Sequence, residues 1–162
     1  AAFAEVVAAK PRLVAILEEV RDPGNAGTIL RAADAAGADA VIFSGKSVDP
    51  YNPKVVRSTT GSMFHAPIVS GVDLDEVGAA LHDAGLTVIA ADVKGDDLLE
   101  HRAVLQLPTA WLFGNEAHGL DDAQLAKADR ALRLPIFGRA ESLNLATAAS
   151  VCLYESAFAQ RG

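Results

Sequence analysis

The sequence predicts an α/β fold, a mainly parallel six-stranded sheet flanked by helices. Three observations carry that expectation. Short apolar runs alternate with segments of helical spacing along all 162 residues. Polar, glycine-bearing loops stand after several of those runs, where an open parallel sheet holds its ligands. The composition is 51% hydrophobic, enough to give one domain of this length a substantial core.

The elements follow in order. Arg12–Val20 is the first strand, with Leu13, Val14, Ile16 and Leu17 as a compact apolar block. The loop formers Arg21–Gly27 come next. Thr28–Gly37 spaces Ile29, Leu30, Ala32, Ala33 and Ala36 as a helix, with Gly37 as its C-cap. Asp39–Ser44 is the second strand. A loop through Asp49-Pro50-Tyr51-Asn52-Pro53 leads to a short helix over Lys54–Ser58 that ends near Gly61. Ala66–Ser70 is the third strand. Asp73–Asp83 is an amphipathic helix with an acidic start, closed by Gly85. Leu86–Ala91 is the fourth strand, and Asp92–Leu105 is polar, irregular and partly helical. Thr109–Phe113 is the fifth strand, and Asp121–Ala128 a short helix. Ala131–Leu134 is the sixth strand, and the segment from Ser142 to about Gln160 the last helix.

Composition bounds the chemistry. No run of 18 apolar residues exists, so no membrane span is expected. The chain opens AAFAEVVAAKPR, without a signal-peptide pattern, and reads as the trimmed edge of a longer protein. The single cysteine, Cys152, lies in an apolar segment and reads as buried filler in a cytoplasmic protein. A net charge of −7 argues against a freestanding nucleic-acid binder unless a local basic face or another domain supplies positive charge.

Three loops carry unusual residues. In Asn25-Ala26-Gly27-Thr28-Ile29-Leu30-Arg31, Asn25 is the expected N-cap and Arg31 lies about two turns into the helix. In Gly114-Asn115-Glu116-Ala117-His118-Gly119, two glycines permit close backbone approach or positive φ. At the turn into the last helix, Glu141, Ser142 and Asn144 interrupt an alanine- and leucine-rich stretch, more polar groups than one helix cap requires. Other chemistries lack their signatures. There is no Gly-x-Gly-x-x-Gly, no Gly-Lys-Ser/Thr phosphate loop and no Gly-x-Ser-x-Gly elbow. His65, His82, His101 and His118 show no metal spacing, so no metal is expected.

Together these loops resemble the motifs of the SpoU/TrmH family of RNA ribose 2′-O-methyltransferases, in the SPOUT superfamily. Asn25–Arg31 is similar to its N-x-G-x-x-x-R motif, Gly114–Gly119 to its G-x-E-x-x-G loop, and Leu134–Ala146 to its I-P-x-x-G-x-x-x-S-L-N signature. Val56–Ser62 resembles its Arg-x-Ser-x-Gly segment. The resemblance covers residues 12–160 and implies a C-terminal deep trefoil knot, a homodimer and an S-adenosyl-L-methionine cofactor. Residues 12–162 are then the catalytic domain, and residues 1–11 the end of a linker from a missing N-terminal RNA-binding domain.

By that resemblance Gly114, Asn115, Glu116, Gly119, Leu134, Ile136, Ser142, Leu143 and Asn144 form the cofactor site. Arg31, Asn25, Glu116, Ser142 and Asn144 form the catalytic set, with Glu116 placed to orient Arg31. Arg21, Lys54 and Arg57 are the expected RNA contacts. The implied substrate is ribosomal RNA, with transfer RNA as the alternative target. The competing readings are a knotted cofactor- or RNA-binding module without turnover, and a small-molecule enzyme on a flavodoxin-like sheet.

Overall fold

A computed structural model describes residues 2–59 and 65–162. Six strands form one parallel sheet: β1 (Leu13–Glu18), β2 (Ala40–Ser44), β3 (Ile68–Val72), β4 (Thr87–Asp97), β5 (Thr109–Phe113) and β6 (Arg130–Arg133). Their order is β3-β2-β1-β5-β4-β6. The chain builds outward from β1 through β2 to β3. It then crosses to the other half, where β5 slots between β1 and β4. The direction of building therefore reverses between β1 and β5, the switch point at which loops part to admit a ligand. Leu17 pairs with Phe113, so the loops that follow these two strands leave the sheet side by side.

Strand parity sorts the core into two layers. Leu13, Ala15 and Leu17 of β1 and Trp111 and Phe113 of β5 face one way, under α2 (Pro23–Ala36) and α6 (Leu145–Arg161). Val14, Ile16, Ala110 and Leu112 face the other way, under α1 (Phe3–Ala8) and α4 (Leu74–Asp83). Both faces of β1 and β5 are buried, which is why these strands read as unbroken apolar runs. The short helices α3 (Pro53–Ser58) and α5 (Asp122–Leu125) complete the set.

Several boundaries differ from the sequence expectation, each for a local reason. Helix α2 starts at Pro23, five residues earlier than expected. Asp22, not Asn25, is its N-cap: the Asp22 carboxylate accepts from the Asn25 N–H at 2.8 Å, and Pro23 takes the first helical position, where no N–H is needed. The last helix begins at Leu145, because Asn144 turns its side-chain oxygen onto the N–H groups of Ala146 and Thr147 at 2.9 and 3.3 Å. Helix α5 is one turn long, closed at its start by a capping box between Asp121 and Gln124. Strand β3 lies two residues later than expected.

Strand β4 continues through the stretch expected to be irregular. Ala91 and Asp96 both face Leu132 of β6, so the residues between them bulge away from the sheet. Only Leu98–Glu100 and Arg102–Gln106 form the expected helical turns, both of the tight 3₁₀ type. Helix α1 lies in a segment where no element was expected, and its Val6 packs into the second core layer. The expected end of α3 near Gly61 falls outside the described residues.

One buried polar contact fixes α6 onto the sheet. Trp111 Nε1–H donates to Ser156 Oγ at 2.8 Å, and both residues are fully buried. An indole N–H in an apolar layer is costly when unpaired. Ser156→Ala is therefore expected to lower unfolding stability by about 1–3 kcal/mol. Adding Trp111→Phe should restore part of that loss, as urea denaturation of both variants will show.

Candidate active site

The site is built where β1 and β5 end. After β5 the chain folds back on itself: Asn115 N–H donates to Gly119 O at 3.2 Å and Gly119 N–H to Asn115 O at 2.8 Å. Gly119 adopts φ +67°, a conformation that L side chains avoid. Gly114 lies beneath this fold-back. A Cβ there would stand 2.6 Å from the Gly119 carbonyl carbon, so the first glycine of the loop is required by packing. Asn115 organises the interior, its Oδ1 accepting from Ala117 and His118 N–H at 2.8 and 3.1 Å.

The same loop grips the one after β1. Asn115 Nδ2 donates to Glu19 O at 2.9 Å. The Glu116 carboxylate accepts from the backbone N–H groups of Arg21 at 2.9 Å and Asp22 at 3.2 Å, immediately before α2. Glu19 itself adopts φ +59°, unusual for a non-glycine residue. Its backbone is held from both sides, by Asn115 on its carbonyl and by Ser44 O on its N–H. Its carboxylate pairs with Arg21 at 3.1 Å. Glu116 thus holds the entrance of α2 through the backbone and makes no bond to Arg31 within this chain.

A cleft of about 550 Å³ opens beside this loop. Asn115, Glu116, His118 and Gly119 form one side. Leu134, Ile136, Ser142 and Leu143, from the connection between β6 and α6, form the other. Phe113, Leu132 and Cys152 contribute apolar atoms below, and Asp92, Val93 and Lys94 of the β4 bulge close a third side. The bulge escaped the sequence reading. Its signal was Gly95, a glycine in a strand-like run, where a Cβ would meet the Ala131 carbonyl carbon at 2.5 Å. Cys152 is buried as expected. Burial, reinforced by the negative charge of Glu155, pushes its thiol well above the ordinary range, which disfavours the reactive thiolate. Among the described residues no group of His, Cys, Asp and Glu side chains is arranged to hold a metal.

The remaining expected residues lie elsewhere. Gly114 and Asn144 are adjacent to the cleft in sequence but do not line it. Asn25 and Arg31 lie on α2, outside the cleft, and Arg31 is exposed with no hydrogen bond or ion pair to any described residue. Gly27 has a packing role: a Cβ there would press on the Ser58 side chain and stand 2.9 Å from Val55 O. Ser58 Oγ in turn donates to Pro23 O at 2.9 Å, seating α3 against the first turns of α2. Arg31, one turn beyond Gly27, shares that face of α2. Arg21, Lys54 and Arg57 are all exposed at this end. In the Val56–Ser62 stretch, Thr60, Gly61 and Ser62 lie outside the described residues.

With the two loops and the cleft assembled, comparison with known proteins becomes decisive. Residues 12–154 match the model of the SpoU rRNA Methylase family. The chain belongs to that family. It is 39% identical over 147 residues to the 23S rRNA (guanosine(2553)-2′-O)-methyltransferase RlmP of Bacillus subtilis, covering 90% of this chain and 58% of the relative. The SpoU methyltransferase AviRb of Streptomyces viridochromogenes, solved in complex with AdoMet, superposes with a TM-score of 0.77 at 37% identity, covering 91% of this chain and 57% of that one. An AdoMet-bound rRNA methyltransferase of Sinorhizobium meliloti gives a TM-score of 0.79 at 38% identity, covering 90% and 55%. The chain therefore spans a little over half the length of these SpoU relatives.

Two outcomes test the site's construction. Glu116→Ala should speed amide exchange at Arg21 and Asp22 about ten-fold, as acceptors for two N–H groups are lost; hydrogen exchange by NMR reads this directly. Gly27→Ala should destabilise by about 1–3 kcal/mol through overpacking against α3, although alanine is the better helix former by about 1 kcal/mol. Thermal and urea unfolding will give the sign.

Proposed function

We propose that this chain is the catalytic domain of an S-adenosyl-L-methionine-dependent RNA methyltransferase that acts on a ribose 2′-hydroxyl of ribosomal RNA. The observation that carries the reading is the cleft between the loop after β5, the β4 bulge and the β6–α6 connection, lined by two of the stretches that bear the SpoU motifs. The relatives' names supply the substrate class and their solved complexes the cofactor.

The cleft's chemistry fits such a cofactor. Its volume lies in the range of small-molecule sites, with apolar walls interleaved with polar and charged groups that can fix orientation. Leu134, Ile136 and Leu143 suit an adenine face, while Asn115, Gly119 and Ser142 offer polar atoms and backbone at the rim. When bound, the cofactor supplies an activated methyl group on a sulfonium. The protein's task is then to align the ribose oxygen and to stabilise the negative charge that develops there.

Arg31 takes that task. Its planar guanidinium, a fixed fork of N–H donors, suits it as an electrostatic stabiliser and a clamp on the ribose or the adjacent phosphate. Asn25, one and a half turns before it on α2, helps orient the ribose, while Ser142 and Asn144 hold the turn that faces the substrate. Glu116 serves both loops by fixing where α2 begins. Because Arg31 stands outside the cleft of its own chain, the working unit is a homodimer in which a second copy completes each site. The exposed stripe Val151, Tyr154 and Phe158 on α6 supports this assembly, with Tyr154 and Phe158 rings 5.7 Å apart. The β6–α6 connection is threaded as the family's trefoil knot. Arg21, Lys54 and Arg57 track the RNA backbone. Residues 2–11 carry α1 and pack on this domain, so an RNA-binding domain elsewhere in the full-length protein offsets the acidic charge, and the protein works in the cytoplasm, where its substrate is.

Arg31→Ala should lower kcat by about 10²–10³-fold and leave S-adenosyl-L-methionine affinity unchanged in calorimetry. Equal loss of binding would remove Arg31 from the catalytic role. Cofactor binding by the wild type with no methyl transfer to ribosomal or transfer RNA would leave a non-catalytic module.

A further inference from the structure

Phe137 stands out among the large apolar side chains. It is 87% exposed, the most of any described large hydrophobic residue. An aromatic ring normally buries most of its surface, and this one sits in water beside a cleft. Its neighbour Ile136 lines that cleft, while Gly138 has open space on the side where a side chain would project. The ring therefore stands on a free loop at the mouth of the site. Two cations are carried by the segments around it, alongside the carboxylates of Asp92, Glu116 and Glu141 that also line the cleft. Lys94 lines the cleft from the β4 bulge, and Arg139 follows Phe137 by two residues. Neither makes an ion pair with any described residue, whereas Arg133 nearby is held by Gly95 O at 2.9 Å and by Asp97. An exposed ring beside unpaired cations is the pattern that single-stranded RNA uses: bases stack on the ring and phosphates meet the charges.

We infer that Phe137 is a stacking platform for an unpaired nucleobase of the RNA substrate, at or next to the nucleotide whose ribose enters the cleft, with Lys94 and Arg139 taking the flanking phosphates. This rests on the methyltransferase reading above and adds a residue that selects an unstacked, single-stranded target. A second copy of the chain is the other candidate occupant of the ring. The apolar stripe of α6 already offers a copy a separate, continuous surface, whereas Phe137 lies on a loop with Arg139, beside a cleft that Lys94 lines.

The test uses the full-length protein, ribosomal RNA extracted from a strain lacking its gene, and labelled S-adenosyl-L-methionine. Phe137→Ala should raise KM for RNA about ten-fold, the loss of one base stack, with cofactor affinity unchanged. Phe137→Trp should retain activity. Within this chain the one native tryptophan, Trp111, is buried, so the emission gained over the wild type reports the new indole, and RNA should quench that difference. Unchanged KM in Phe137→Ala, or no quenching by RNA, overturns the stacking role. Emission that changes with protein concentration in the absence of RNA assigns the ring to a subunit contact instead. Failure of the wild type to methylate any RNA would sink the enzymatic reading, while the quenching result still decides the contact.

Discussion

The site depends on the clasp between the loops that follow β1 and β5. Asn115 and Glu116 reach across from the β5 loop and satisfy backbone groups of Glu19, Arg21 and Asp22. Strand adjacency alone brings these loops near each other, because parallel neighbours release their connections at the same edge. The clasp turns proximity into fixed geometry. It holds Glu19 in a left-handed conformation that an L residue does not choose, and it sets the angle at which α2 leaves the sheet. Everything α2 carries, Arg31 included, takes its position from two side chains in another part of the sequence.

The rest of the architecture reads as support for that clasp. β1 and β5 are buried on both faces, so neither can shift without disturbing two core layers. On one side, Ser58 and Gly27 seat α3 against α2. On the other, Trp111 and Ser156 pin α6 over β5, and α6 begins at the cleft wall with Asn144 as its cap. A close-packed interior transmits such constraints with little slack.

The alternation of strands and helices was legible in the sequence, because doubly buried strands leave apolar runs and Gly37 leaves a clear stop. The sheet order was not, since nothing local in Thr109–Phe113 says that it inserts between β1 and β4. Asn25 was misread as a cap because an asparagine before an apolar-periodic run looks like one. The Asp22-Pro23 pair, one turn earlier, was the better signal. The reasons for two motif glycines were not legible: Gly114 and Gly27 are small because other backbone and side chains occupy the space a Cβ would take. The β4 bulge was missed because its residues are polar, and polarity reads as loop. Arg31 was recognised by its motif alone; its position outside the cleft is a tertiary fact.

The three hydrogen bonds of the clasp join residues 94, 95 and 96 positions apart in a chain of 162. Loops that long close late, since their entropy is lost before any contact repays it. As the chain emerges from the ribosome, the first three strands can pair while the first loop still lacks its partner. The cleft comes into being only when β5 has found its slot between strands already made. A partly folded chain therefore has no pocket to fill, and ligand occupancy becomes a report that folding has run to completion.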